Sequence, residues 1–171
     1  MAGSHYAVLM VCTGNICRSP TAEGVLRHLV HEAGLQDRVR IDSAGTHDYH
    51  VGAPPDHRSS HHAALRGYDL SDLRARQVSR RDYERFDLIL AMDLGHVELL
   101  LEECPPQYRH KVRRLMEFAP PGLGDEVPDP YYGGKDGFEL VLDHIEAACA
   151  NLLVHVRSEL QPGQSPDSRS T

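Results

Sequence analysis

The apolar positions of this chain fall into runs and stripes of different period. Residues 6–11 are an unbroken apolar run, and residues 86–92 (FDLILAM) are nearly so. Short runs of this kind predict strands buried on both faces, as in parallel sheets. Between them, Ala22, Val25, Leu26, Leu29, Val30 and Ala33 recur at helical spacing, and Gly34 supplies a stop. Residues 39–44 predict a second strand, which would close a right-handed βαβ unit with the first. Short helices are expected over residues 56–66, before Gly67, and over residues 94–103, before Pro105 and Pro106. Residues 112–118 predict a fourth strand at the sheet edge. Phe138, Val141, Leu142, Ile145, Cys149, Leu152, Leu153 and Val156 mark one face of a last helix over residues 136–160. No internal repeat is present.

Strands alternating with helices predict an α/β fold, a parallel sheet with helices on both faces. Two stretches carry no period. Residues 45–55, rich in Gly, Pro and His, would lie at the carboxyl edge of the sheet. Residues 119–134 carry Pro and Gly throughout, and loops of that length are usually functional. Residues 161–171 are polar, with Pro and Ser, and predict a disordered tail behind a single domain over residues 1–160.

With 171 residues the chain can build a core without disulfides or metals. Its net charge of −7, with no Lys/Arg block, argues against nucleic acid and anionic membranes as partners. No apolar stretch approaches a membrane span, and no signal peptide precedes Tyr6. Cys12, Cys17, Cys104 and Cys149 show no zinc-type pairing, and a reactive thiol needs a reducing compartment, so the cytoplasm is expected. Export without a signal peptide stays open, and a monomer is expected.

The candidate chemistry sits after the first strand, in Val11-Cys12-Thr13-Gly14-Asn15-Ile16-Cys17-Arg18-Ser19-Pro20. Strand, loop, helix is the layout that aims backbone N–H groups at an anion. Cys12 and Arg18 enclose five residues. Only a thiolate is a good nucleophile, and converging N–H groups, a helix N-terminus and Arg18 would all favour it at Cys12. The planar guanidinium of Arg18 can grip two phosphate oxygens. Gly14 permits close backbone approach, and Asn15 tolerates left-handed geometry. Ser19 is placed to meet the thiolate or cap the helix, and Pro20 suits the helix start. A bare Cys and Arg at this spacing would fit a packed structural cysteine; the ten residues together favour a phosphate-binding loop.

CTGNICRSP resembles the phosphate-binding loop of the low-molecular-weight protein tyrosine phosphatases. The resemblance runs from residue 6 to residue 160 and includes Asp42-Ser43-Ala44-Gly45, Asp48-Tyr49-His50-Val51-Gly52, Ala75-Arg76-Gln77, Met92-Asp93 and Asp129-Pro130-Tyr131-Tyr132. It implies a four-stranded sheet of order 2-1-3-4 with the cradle at the switch point. It implies Cys12 as nucleophile, Arg18 as phosphate clamp and Asp129 as the acid that protonates the leaving oxygen and then activates water against a phosphocysteine. Asp125 and Glu126 are the local competitors for that role. Residues Thr13 to Ser19 would hold phosphate, with Ile16, Tyr49, Tyr131 and Tyr132 as walls for a phenol ring. Ser43 and Asp93 would buttress the loops. Vertebrate members carry a His just ahead of Ala-Arg-Gln, where this chain has Leu73-Arg74.

The implied activity is hydrolysis of phosphotyrosine in proteins, an autophosphorylated tyrosine kinase being one candidate partner, with inorganic phosphate or vanadate as ligands and no cofactor. His57, His61 and His62 raise a metal site, but a solvated helix face is the stronger reading, since no mixed ligand set completes it. An arsenate reductase would need relay thiols near residues 82–89, where there are none. A protein-arginine phosphatase would favour Thr in place of Ile16. A phosphoprotein-binding module would not need Cys12, Arg18 and Asp129 together. Cys17 is either packing or the partner of an oxidised Cys12 in a reversible disulfide.

Overall fold

The computed structural model describes residues 5–130 and 134–160, with residues 134 and 135 as backbone only. The strands are β1 (Tyr6–Cys12), β2 (Val39–Gly45), β3 (Leu88–Ala91) and β4 (Val112–Arg114). The helices are α1 (Arg18–Glu32), α2 (His57–Leu65), α3 (Arg80–Arg85), α4 (Leu94–Glu103) and α5 (Gly134–Glu159). All pairings are parallel and the strand order is β2-β1-β3-β4.

The unbroken apolar run of β1 has a direct cause. Val8 and Met10 face a core shared with α1 and α5 through Ala22, Leu26, Ile145 and Leu152. Leu9 and Val11 face the opposite core, with Tyr83, Phe86 and Leu100 from the side of α3 and α4. Side chains alternate along a strand, so a central strand covered on both faces must be apolar at both parities. From β1 the chain crosses to β2 on one side and then returns to β3 on the other. Order reverses there, and the crevice lies beyond the carboxyl ends of β1 and β3. Cys12 is the last residue of β1, and Asp93 is the second residue after β3.

Three expected elements need correction, and two short helices were not expected. Helix α3 has no apolar stripe to betray it; a capping box between Ser79 and Asp82 starts it. Phe86 closes that helix instead of opening β3, and its ring is buried beneath the Arg40 guanidinium, 5.1 Å from the ring centre. The predicted fourth strand is half strand: after three pairs, the Glu117 carboxylate accepts from Arg114 N at 3.0 Å and turns Leu115–Phe118 into a 3-10 helix. A further 3-10 helix, Pro106–Lys111, precedes it. Helix α5 starts at Gly134, two residues before Asp136. The predicted tail, residues 161–171, lies outside the described residues, as do Tyr131 and Tyr132. Among the described residues, no helix is long and apolar enough to cross a membrane.

Candidate active site

The loop after β1 is held by its carbonyl groups. Cys12 O accepts from Thr46 N at 2.9 Å, Thr13 O from His47 N at 3.0 Å and Ile16 O from Asp56 N at 2.7 Å. Cys17 O accepts from Thr21 N and from the Thr21 hydroxyl. In a trans peptide the next residue's N–H points opposite to the carbonyl, and there is no cis bond among the described residues. Carbonyls spent on the surrounding protein therefore turn the N–H groups of Thr13, Gly14, Cys17 and Arg18 to the concave side. Asn15 makes the bend with φ 59°, its Nδ2 donating to Ser19 Oγ at 2.8 Å and Ser43 Oγ at 2.9 Å, its Oδ1 accepting from Arg76 N. Gly45 is obligatory at the edge: a Cβ there would lie 2.6 Å from Thr13 O.

Cys12 is buried, 3.0 Å from Ser19 Oγ and 3.4 Å from Ser19 N. Behind Ser19 a polar chain runs through Asn15 and Ser43 to Glu23, whose Oε1 accepts from Ser43 Oγ at 2.6 Å. Burial raises the Glu23 carboxyl, against the hydrogen bond from Ser43 and the charge of Arg27 at 2.8 Å. Leu73, standing near the vertebrate His position, is core. Ser43 links the loop, through Asn15, to Glu23. Helix α1 begins at Arg18, so Ser19 serves the thiol and not the cap, and Pro20 falls third in the helix.

Arg18 is 7% exposed and spends Nη1 on Asp93 Oδ2 and Val127 O, both at 3.0 Å. Among the described residues, both of its hydrogen bonds use Nη1 and none uses Nε or Nη2. Asp93 also caps α4, Oδ1 accepting from His96 N at 2.9 Å. Val127 N donates to Met92 O at 2.8 Å, and Glu126 accepts from Leu94 N at 2.8 Å. Both contacts fasten the chain shortly before Asp129 at the carboxyl end of β3. Glu126 is thereby a cap, and Asp125 faces Arg114; neither lines the cavity that Asp129 lines.

That cavity, about 230 Å³, is lined by Cys12, Thr13, Gly14, Ile16, Cys17, Arg18, Tyr49, His50 and Asp129. Three larger hollows, beside α1, beside α4 and at the start of β1 and β2, contain none of these three: Cys12, Arg18 and Asp129. Tyr49 is exposed and stacks on His47 at 4.8 Å. His50, absent from the sequence-based set, covers Gly14, where a Cβ would lie 2.8 Å from its Cδ2. Burial pushes the Cys17 thiol up to about 12, against a hydrogen bond with Ser59. Among the described residues no three His, Cys, Asp or Glu side chains are grouped to hold a metal ion. His62 instead pairs with Glu139 and stacks on Phe138.

His96 was not legible as a site residue. It is 3% exposed, with Nε2 2.8 Å from Thr13 Oγ1 and Nδ1 3.1 Å from Asp93 Oδ1. The Nδ1 contact lacks hydrogen-bond alignment, and among the described residues it is the buried side-chain polar atom left without a hydrogen bond. Burial, more than the opposing Asp93 charge, lowers its pKa from 6.5 to about 4. Below pH 6.5 the unfolded chain therefore binds a proton that the native state refuses. This part of the stability is complete above 6.5 and is lost as pH falls towards about 4. Urea midpoints measured across that window should fall less steeply for His96→Gln; an unchanged slope would show that the imidazole does not contribute.

A thiol, a guanidinium and a ring of N–H groups at a parallel-sheet switch point define a phosphate-cradle α/β protein. The family profile for low molecular weight phosphotyrosine protein phosphatase matches residues 7–162. A low molecular weight protein-tyrosine-phosphatase of Streptomyces coelicolor is 46% identical over 159 residues, covering 91% of this chain and 96% of the relative. The crystal structure of YfkJ from Bacillus subtilis superposes with a TM-score of 0.88 at 37% identity, covering 94% of this chain and 100% of that one. A protein tyrosine phosphatase from Entamoeba histolytica with Hepes in the active site superposes with a TM-score of 0.86 at 40% identity, covering 90% and 97%. The chain belongs to the low molecular weight protein-tyrosine phosphatase family, enzymes that hydrolyse phosphotyrosine through a cysteine nucleophile.

Proposed function

We propose that Cys12 attacks the phosphorus of phosphotyrosine, that Arg18 and the N–H groups of residues 13–18 hold the equatorial oxygens, and that Asp129 protonates the departing phenolate. Asp129 then takes a proton from the water that hydrolyses the phosphocysteine, and phosphate leaves. Ser19 stabilises the sulfur as thiolate in both steps. The observation that carries this reading is the meeting of Cys12, Arg18 and Asp129 around one cavity of about 230 Å³. Hepes in the active site of the Entamoeba histolytica enzyme supports it, since its sulfonate is a tetrahedral oxyanion. Ile16 and Tyr49 are the described walls for the phenol ring.

Arg18→Lys tests the clamp. Lysine cannot keep the tie to Asp93 and Val127 and also present two parallel N–H donors. A loss of roughly 10²-fold in kcat/KM is expected, the scale of one transition-state donor, with weaker inhibition by inorganic phosphate. Near-normal kinetics would remove Arg18 from the phosphate site.

Phosphotyrosine in proteins is the substrate class, and an autophosphorylated tyrosine kinase is a specific candidate; capture on Cys12→Ser from a phosphoproteome would identify it, and failure to retain any phosphotyrosine protein would oppose it. The four free cysteines suit the reducing cytoplasm. For Cys17 the redox reading stands beside packing. Peroxide converts the Cys12 thiolate to a sulfenic acid; attack by Cys17 sulfur would form the disulfide and release water. Its raised pKa makes that attack slow, because the thiolate is scarce. Activity recovered with dithiothreitol after peroxide should be lower in Cys17→Ser than in the wild type; equal recovery would leave Cys17 as packing.

A further inference from the structure

His96 does not line the cavity, and the chemistry above gives it no role. Its imidazole is neutral at neutral pH, so one ring nitrogen carries a proton and the other a lone pair. A lone pair on Nδ1 would face the Asp93 carboxylate 3.1 Å away, whereas a proton there is attracted to it. Nδ1 therefore holds the proton, and Nε2 accepts from the Thr13 hydroxyl at 2.8 Å. This makes Thr13 a point fixed from two directions. Its carbonyl is tied to His47 N in the loop after β2, and its hydroxyl is tied to the first turn of α4. The N–H groups on either side of its carbonyl and α-carbon, those of Thr13 and Gly14, are two of the inward-facing donors. The same helix terminus holds Arg18 through Asp93.

We propose that His96 is a positioning residue for phosphate binding: through the Thr13 hydroxyl it holds the first two N–H donors of the cradle in register with the Arg18 guanidinium. This deepens the reading of residues 12–18 as a phosphate cradle and rests on it. Removal of the tie leaves every phosphate-touching group present but frees the start of the loop. The loss should therefore appear in affinity for phosphate itself as well as in turnover.

The test is steady-state kinetics on a chromogenic aryl phosphate, with inorganic phosphate as inhibitor and thermal melts alongside. The variants are Thr13→Val, His96→Leu, their double, His96→Gln and His96→Asn. Glutamine carries its amide near the place of Nε2, asparagine near that of Nδ1. Thr13→Val and His96→Leu should each lower kcat/KM and weaken phosphate inhibition about tenfold, the scale of one buried hydrogen bond. The double variant should be no worse than either single, because both break one contact. His96→Gln should restore phosphate inhibition and His96→Asn should not. Losses that multiply in the double variant, or rescue by asparagine alone, would overturn the proposal. Should His96→Leu fail to fold, Thr13→Val decides: phosphate inhibition equal to wild type overturns it. A wild-type protein that phosphate does not inhibit would instead overturn the cradle reading itself.

Discussion

Cys12→Ser is expected to abolish hydrolysis of aryl phosphates while leaving phosphate and vanadate binding within a few-fold of wild type. The two effects separate because two sets of atoms are involved. The cradle is built from backbone: the carbonyls of Cys12, Thr13 and Ile16 are anchored to Thr46, His47 and Asp56, and a serine side chain disturbs none of those bonds. Arg18 keeps its ties to Asp93 and Val127. The nucleophile depends on sulfur. A serine hydroxyl at the end of β1 has Ser19 as its hydrogen-bond neighbour, and a second hydroxyl is not a base that could take its proton, so the oxygen stays neutral and unreactive. Loss of roughly 10⁴-fold or more in kcat is the scale for removing a covalent nucleophile. Residual turnover near wild type would refute attack by sulfur. Loss of vanadate binding together with turnover would show that Cys12 also shapes the cradle, which the carbonyl anchoring does not predict.

The parts of this site that were legible in the sequence are those whose contacts are local. Cys12, Asn15, Arg18 and Ser19 lie within one loop and one helix start, and the hydrogen bonds Cys12–Ser19 and Asn15–Ser19 close inside that stretch. The strand order and Asp129 came from resemblance; by residue type alone, Asp125 and Glu126 were equal candidates. Only the folded loop separates them, by giving Glu126 the N-terminus of α4 and Asp129 the cavity. Two further members had almost no sequence signal. Val127 contributes a carbonyl, which every residue has. His96 contributes an imidazole that meets Thr13 across the crevice between β1 and β3, and its one trace is Asp93-x-x-His96 at a helix start. For the fold, continuous apolar runs marked β1 and β3 because both faces are covered. Helix α3 and the 3-10 helix after β4 went unread because side-chain capping by Asp82 and Glu117, not an apolar stripe, decides them.

Asp129→Asn is expected to lose up to about 10⁴-fold on phenyl phosphate, the upper range for a general acid, and far less on esters of acidic phenols. The reason lies in which oxygen needs a proton. As Cys12 displaces a phenolate of high basicity, charge builds on the leaving oxygen and proton donation stabilises it. A nitrophenolate carries that charge within its own ring and leaves unaided. Asp129 lines the same cavity as Cys12 and Arg18, two residues beyond the Val127 tether. Asparagine keeps size and hydrogen bonding but has no proton to transfer. Rates for the variant should therefore fall steeply with leaving-group basicity where the wild-type rates change little. Measuring kcat/KM across a series of substituted phenyl phosphates gives the two slopes. Parallel lines, with equal loss on every ester, would mean that Asp129 does not protonate the leaving group. The same series applied to Asp125→Asn and Glu126→Gln would then locate the acid. Helix capping by Glu126 predicts lower thermal stability for its variant and an unaltered slope.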